Sequence, residues 1–167
     1  YKGGVRISML AGRDAIEDYE KKHAMIQEAT HLLSVKPDQV DSGIRKLLDA
    51  NAALKSKLIA FQRQIGEEKA AAIPEGTRKI CFLEPNFQSD ELREMCNKAA
   101  VKAELVLGLL PIREGLCQYV LISNQTDVRE LGKALNEKFN GKGGGQPSMV
   151  QGTLMADGEE IKAYFLE

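Results

Sequence analysis

The sequence contains no tryptophan and only two histidines, and aromatic residues make up 5% of its 167 positions. A chain this poor in large rings lacks the usual filling of one big core, so its apolar surface must be mostly Leu, Ile, Val and Ala carried on helices. No uninterrupted apolar run approaches the ~20 residues of a membrane-spanning helix. Neither sign of charge dominates, with 23 Lys and Arg against 24 Asp and Glu, a net −1. That balance excludes a generically basic nucleic-acid coat, and 43% hydrophobic with 28% charged residues excludes disorder. Cys81, Cys96 and Cys117 form no Cys-x-x-Cys pair, and each lies in an apolar periodic segment where a thiol acts as a small core hydrophobe. A disulfide framework is thereby excluded, and a reducing, cytoplasmic setting is expected. His23 and His31 lie on one predicted helix, about 12 Å apart along its axis, too far to share a metal.

What is present divides into three stretches. Residues 1–12 read as the tail strand of a truncated upstream domain, because Val5, Ile7 and Met9 alternate with Arg6, Ser8 and Leu10. Residues 13–73 carry two heptad patterns. Ile16, Tyr19, His23, Ile26, Thr30 and Leu33 form the first, and Val40, Ile44, Leu47, Asn51, Leu54, Leu58, Phe61 and Ile65 the second. The short break between them, with Pro37 suited to a first helical turn, predicts a long antiparallel, coiled-coil-like hairpin. Its second arm, about 50 Å against about 30 Å, outruns the first. Leu58, Phe61 and Ile65 must therefore pack on the following domain, on upstream sequence or on a second copy of the chain. Asn51 at a seam position is a residue type that fixes register and oligomeric state, or else a polar residue at the seam's solvent edge.

Residues 74–167 predict a small βαββαβα domain with a mixed sheet, making the whole an α+β protein. Ser89 and Asp127 read as helix N-caps, and Asn140-Gly141 as a helix stop.

The stretch Lys142-Gly143-Gly144-Gly145-Gln146-Pro147-Ser148-Met149-Val150-Gln151-Gly152 is the most distinctive. Successive glycines can turn several backbone N–H groups onto one anion, a nest to which Lys142 would add charge; a helix end followed by a mobile loop is the plainer reading. The spacing is not that of a Walker A loop. The charge is uneven: residues 1–73 sum to +2 and residues 74–167 to −3. Between residues 43 and 66, Arg45, Lys46, Lys55, Lys57 and Arg63 face only Asp49. Such a stripe can follow a phosphate backbone, and it is also an ordinary solvated helix face.

The glycine stretch resembles the GGGxPxMxQG signature of the DHH-associated C-terminal domain of alanyl-tRNA synthetases. Gly4-Val5-Arg6-Ile7-Ser8-Met9-Leu10-Ala11-Gly12-Arg13-Asp14-Ala15 is similar to the segment that closes the editing domain in alanyl-tRNA editing proteins, with Ser8-Met9 in place of the usual acidic-aromatic pair. The resemblance implies a tRNA-positioning accessory region of a protein that hydrolyses mischarged tRNA(Ala), with tRNA(Ala) and a second copy of the chain as partners. The contacts it implies are Lys142, Gly143, Gly144, Gly145, Gln146, Gln151 and Gly152, assisted by Arg45, Lys55 and Arg63. Zinc is implied for the upstream editing domain, through H-x-x-x-H and C-x-x-x-H motifs. Neither motif occurs here, so no catalytic residue, metal ligand or cofactor is assigned to this chain. Two rival expectations stand beside this one. The chain is a homodimerisation module acting through Asn51, Leu58, Phe61 and Ile65 without nucleic-acid contact, or it is the substrate-recognition domain of a DHH-type phosphoesterase.

Overall fold

The computed structural model describes every residue except Tyr1, Lys2 and Arg6. It holds α1 (Arg13–Leu33), a 3-10 turn (Pro37–Gln39), α2 (Val40–Ala71), β1 (Thr77–Leu83), α3 (Ser89–Ala99) and β2 (Ala103–Arg113). There follow β3 (Leu116–Ile122), α4 (Arg129–Lys138), β4 (Lys142–Gln146), β5 (Met149–Leu154) and α5 (Gly158–Leu166). Among the described residues no helix is long and apolar enough to cross a membrane. The chain forms two compact units, Tyr1–Lys55 and Ser56–Glu167, and α2 contributes to both.

In the first unit, α1 ends in a Schellman motif. Ser34 takes the left-handed conformation at φ 53°, its N–H donates to the His31 carbonyl, and the Val35 N–H donates to Thr30. The chain then turns through Pro37 into α2, and a Cβ on Gly43 would touch Leu33 and Val35 at 3.4 Å. Thr30 and Val40 are the only buried residues among those described in this unit. Away from the turn, Ile16, Tyr19, Ile26, Ile44, Leu47 and Leu54 are exposed, so the heptad seam stays open within a single chain. Among the described residues of the stretch 1–12, where a tail strand is expected, none is in a strand. Arg6 lies outside the described residues, Val5, Ile7 and Met9 are exposed, and no other described strand pairs with the segment. A strand without a ladder partner has no cooperative reason to persist.

The second unit is a five-stranded sheet in the order β1-β2-β3-β5-β4, parallel only between β1 and β2. Alternation along the strands makes two cores. On one face, Val106, Val120 and Ile122 pack with Leu92, Met95, Cys96 and Ala99 of α3 and with Ala70 of α2. On the other, Leu107, Leu109, Tyr119 and Leu121 pack with Leu135 of α4 and with Ile161 and Phe165 of α5. Gly108 lets α3 lie close, since a Cβ there would be 2.5 Å from the Cys96 Sγ. All three cysteines are free; burial pushes the Cys81 thiol up to about 12 and Cys96 further still, which disfavours the thiolate at both. The expected βαββαβα order gains one element: the glycine run is itself a strand, giving βαββαββα.

The distal part of α2 belongs to this unit, but not through its heptad positions. The face it buries is Gln62, Gly66 and Ala70, followed by Ile73 just beyond the helix. Gly66 admits Met95 so closely that a Cβ would lie 3.1 Å from the Met95 Cβ. Ion pairs fasten the same contact, Lys98 to Glu67 at 2.6 Å and Lys69 to Glu84. Leu58, Phe61 and Ile65 consequently point elsewhere and remain exposed, Phe61 at 64%. Of the three coverings open to them, packing on the following domain is ruled out.

Candidate nucleic-acid interface

The glycine stretch begins where α4 ends. Asn140 takes the left-handed conformation at φ 46°, and the Gly141 N–H donates to the Asn136 carbonyl at 2.7 Å. Only a glycine fits at 141, because a Cβ would sit 2.5 Å from Leu154 and 2.6 Å from the Thr153 carbonyl oxygen. Residues Lys142–Gln146 then run as the sheet's edge strand, antiparallel to β5, pairing Gly143 with Gly152, Gly144 with Gln151 and Gly145 with Val150. None of Gly143, Gly144 and Gly145 has positive φ, so they form an extended strand and neither a nest nor a mobile loop. Pro147 and Ser148 close the hairpin, held by the Val128 N–H on the Pro147 carbonyl at 2.8 Å and the Ser123 N–H on Ser148 at 3.1 Å.

The glycines are not equivalent. A Cβ on Gly143 would lie 2.6 Å from the Gln151 carbonyl oxygen and 2.7 Å from the Tyr119 hydroxyl; on Gly145 it would lie 2.1 Å from the Met149 oxygen, and on Gly152 2.2 Å from the Lys142 oxygen. These three let two backbones and a phenol come together where side chains would clash. Gly144 has nothing within 4 Å of a Cβ. Its backbone is bare and open.

Period-two alternation places Lys142, Gly144 and Gln146 on one face of the strand, with Gln151 opposite Gly144. A hollow of about 260 Å³ opens on that side, lined by Arg93, Gln146, Met149 and Gln151. A second, of about 220 Å³, lies toward α4 between Arg129, Lys133, Asn136 and the glycines. Each cation beside the strand has a surface acid: Arg93 meets Asp90 at 2.7 Å, Arg129 meets Asp127 at 2.7 Å and Lys133 meets Glu130 at 2.8 Å. The Arg129 hydrogen bond holds the Asp127 carboxyl below its usual range. Exposed pairs of this kind hold only weakly and exchange partners readily. Lys142 has no ionic partner among the described residues.

The structure thus joins Lys142, Gly144, Gln146 and Gln151 on one surface, whereas Gly143, Gly145 and Gly152 shape the strand beneath it. Arg63 stands apart from the glycine edge: it is exposed on the distal part of α2, its guanidinium 3.7 Å from buried Glu91 and 3.4 Å from Glu94 of α3. Arg45 and Lys55 lie exposed on α2 in the first unit, as does Asn51. Sequence reasoning missed Arg93, Arg129, Lys133 and Asn136. The available signal was spacing, since Arg129, Lys133 and Asn136 recur at helical intervals on the helix that immediately precedes the glycine run. No group of His, Cys, Asp or Glu suited to a metal ion occurs among the described residues.

No protein-family model matches the sequence. The chain is 27% identical to the alanine-tRNA ligase of Aromatoleum aromaticum over 167 aligned residues, covering 90% of this chain and 19% of that protein. It is 26% identical to the ligase of Granulibacter bethesdensis, covering 87% of this chain and 18% of the relative. For the ligase of Archaeoglobus fulgidus the identity is 24%, covering 95% and 18%. The chain therefore resembles alanine-tRNA ligases along most of its own length while spanning about a fifth of theirs. Among solved structures it is similar to the C-Ala domain from Aquifex aeolicus alanyl-tRNA synthetase, at 18% identity and a TM-score of 0.43, over 56% of this chain and 91% of that one.

Proposed function

We propose that this chain is a tRNA-binding and positioning region of an alanyl-tRNA synthetase or an alanyl-tRNA editing protein, working in the cytoplasm. The observation that carries the reading is the open glycine edge. A strand stripped of side chains at Gly144, with amides at Gln146 and Gln151 and cations in the hollow on either side, accepts a sugar-phosphate backbone at close range. Arg93, Arg129, Lys133 and Lys142 supply attraction, while the backbone and the glutamines supply directed hydrogen bonds to sugar or base edges. The unit's net negative charge argues for contact directed by shape and sensitive to salt, not for tight generic binding. We assign this chain binding rather than chemistry, because it lacks the zinc motifs on which the implied deacylation depends. Zinc, on this reading, belongs to the editing domain of the parent protein.

A Gly144→Val substitution tests the reading, since a Cβ there meets nothing within 4 Å and β-branched residues suit a strand. In gel-shift titrations with tRNA(Ala), the variant should lose about tenfold or more in affinity while keeping its unfolding midpoint. Wild-type binding should weaken between 50 and 200 mM salt, on the order of tenfold per few phosphates contacted. Equal affinities for variant and wild type sink the proposal.

A second reading rests on a separate observation, the exposure of Leu58, Phe61 and Ile65 on a helix whose other face is occupied. We infer that this stripe joins two copies of the chain, with or without tRNA. A Phe61→Glu change should then shift the mass measured by light scattering from dimer to monomer at micromolar concentration. A wild-type chain that is already monomeric would remove this reading.

A further inference from the structure

Beneath the glycine edge a polar connection runs from β3 through α4 to the edge strand. Tyr119, at the centre of β3, is 1% exposed, and its hydroxyl donates to the Asn136 Oδ1 of α4 at 3.1 Å. Asn136 in turn donates through Nδ2 to the carbonyl of Gly143 at 3.3 Å. The direction is chemically forced, for a backbone carbonyl only accepts, so the amide nitrogen must face Gly143 and the amide oxygen must face the phenol. Burial pushes the Tyr119 phenol up, with Asn136 partly offsetting it, so the hydroxyl stays protonated and able to donate. The missing side chain of Gly143 leaves the space that the Tyr119 hydroxyl fills.

An edge strand has a ladder on one side only, and glycines contribute no packing of their own. Main-chain bonds to β5 fix the register of β4, but they leave the strand free to tilt out of the sheet. The bond from Asn136 acts from the α4 side and crosses that motion. We propose that Tyr119 and Asn136 are positioning residues that set the depth and tilt of the Gly143–Gly145 edge, and so hold the open Gly144 backbone in its tRNA-binding geometry. The proposal rests on the tRNA reading for its consequence, and on the two hydrogen bonds for its mechanism.

The variant Asn136→Asp separates the links. A carboxylate still accepts from Tyr119 but has no hydrogen to offer Gly143, and it faces that carbonyl with like charge. Tyr119→Phe keeps the ring and removes only the hydroxyl that orients the amide. Hydrogen exchange of the β4 amides, read against those of β3, should quicken about fivefold or more in Asn136→Asp and less in Tyr119→Phe, the scale set by one net hydrogen bond. In the same preparations, the affinity for a tRNA(Ala) transcript should fall in that order, with unfolding midpoints nearly unchanged. Unaltered β4 exchange in both variants overturns the proposal. So does faster exchange with unaltered tRNA affinity, which would leave the two residues merely structural. A wild-type chain that does not bind tRNA refutes the underlying reading, and with it the positioning role, whatever the exchange shows.

Discussion

Residues 1–55 and 56–167 use the same kind of amphipathic pattern to opposite ends. In the second unit the periodic apolar residues are sealed: Leu107, Leu109, Leu121, Leu135 and Ile161 are fully buried on one side of the sheet, and Met95, Cys96 and Val106 on the other. In the first, a heptad at least as regular leaves nearly every large apolar residue in water. Periodicity states which face of a helix is apolar; whether that face is covered depends on a surface some other element must supply. α2 makes the point within one helix. Its distal part docks through small and polar residues, Gln62, Gly66 and Ala70, because Gly66 permits close approach and ion pairs fix the contact, while Leu58, Phe61 and Ile65 are left bare. The apolar stripe is therefore not the face that holds this helix to its neighbour.

The contrast is broken or confirmed most forcefully by truncating one leucine in each unit. Leu121→Ala should destabilise the second unit by about 2–5 kcal/mol, the usual range for a buried leucine in a close-packed core. Leu54→Ala, at 66% exposure, should change the stability of an isolated chain by no more than about 0.5 kcal/mol. Urea unfolding of each variant at low protein concentration measures both. A large, concentration-dependent cost at Leu54 would sharpen the comparison, showing that a second copy completes the first unit's core. A large cost independent of concentration would break it, because the seam would then be sealed within one chain.

These particulars also show how far the sequence could be read. The α/β part was legible almost strand by strand, since the short apolar run of β3, buried on both faces, and the helical spacing in α3 are carried by side chains within each segment. Its one missing strand, β4, was illegible for a physical reason: glycines carry no side chain to alternate, and their strand state comes only from pairing with β5. The same blindness affected the site. The candidates Lys142, Gly144, Gln146 and Gln151 come together, but the division between open Gly144 and the crowded Gly143, Gly145 and Gly152 depends on distances to other chain segments. Tyr119 and Arg93 could not have been found from the glycine motif, because β3 and α3 are remote from it in sequence. The cap positions show a milder case. Gln88, not Ser89, precedes α3, and Ser89 instead turns its hydroxyl to Gln118 at 2.7 Å.

The smallest expected effect concerns how much of the distal α2 contact is ionic. Lys98 reaches Glu67 of α2 at 2.6 Å and Glu94 of α3 at 3.1 Å. Its hydrogen bond and charge hold the Glu67 carboxyl below its usual range, and the two carboxylates hold Lys98 above its own. A carboxyl lowered by folding stabilises the native state above its unfolded pKa, and that contribution is lost as pH falls through the lowered value. A raised ammonium does the reverse, contributing below its unfolded pKa and losing the contribution as pH rises through the raised value. The pair therefore stabilises across the neutral range and fades at both ends. Both groups face water, so the effect is small and screened by salt. The urea midpoint of wild type minus that of Lys98→Met should be slightly positive at pH 7, shrink towards roughly pH 3, and shrink again in about 1 M salt. A difference that ignores pH and salt would mean that the aliphatic stem of Lys98, not its charge, holds α2 to α3. Docking in the second unit would then be as apolar in origin as its core.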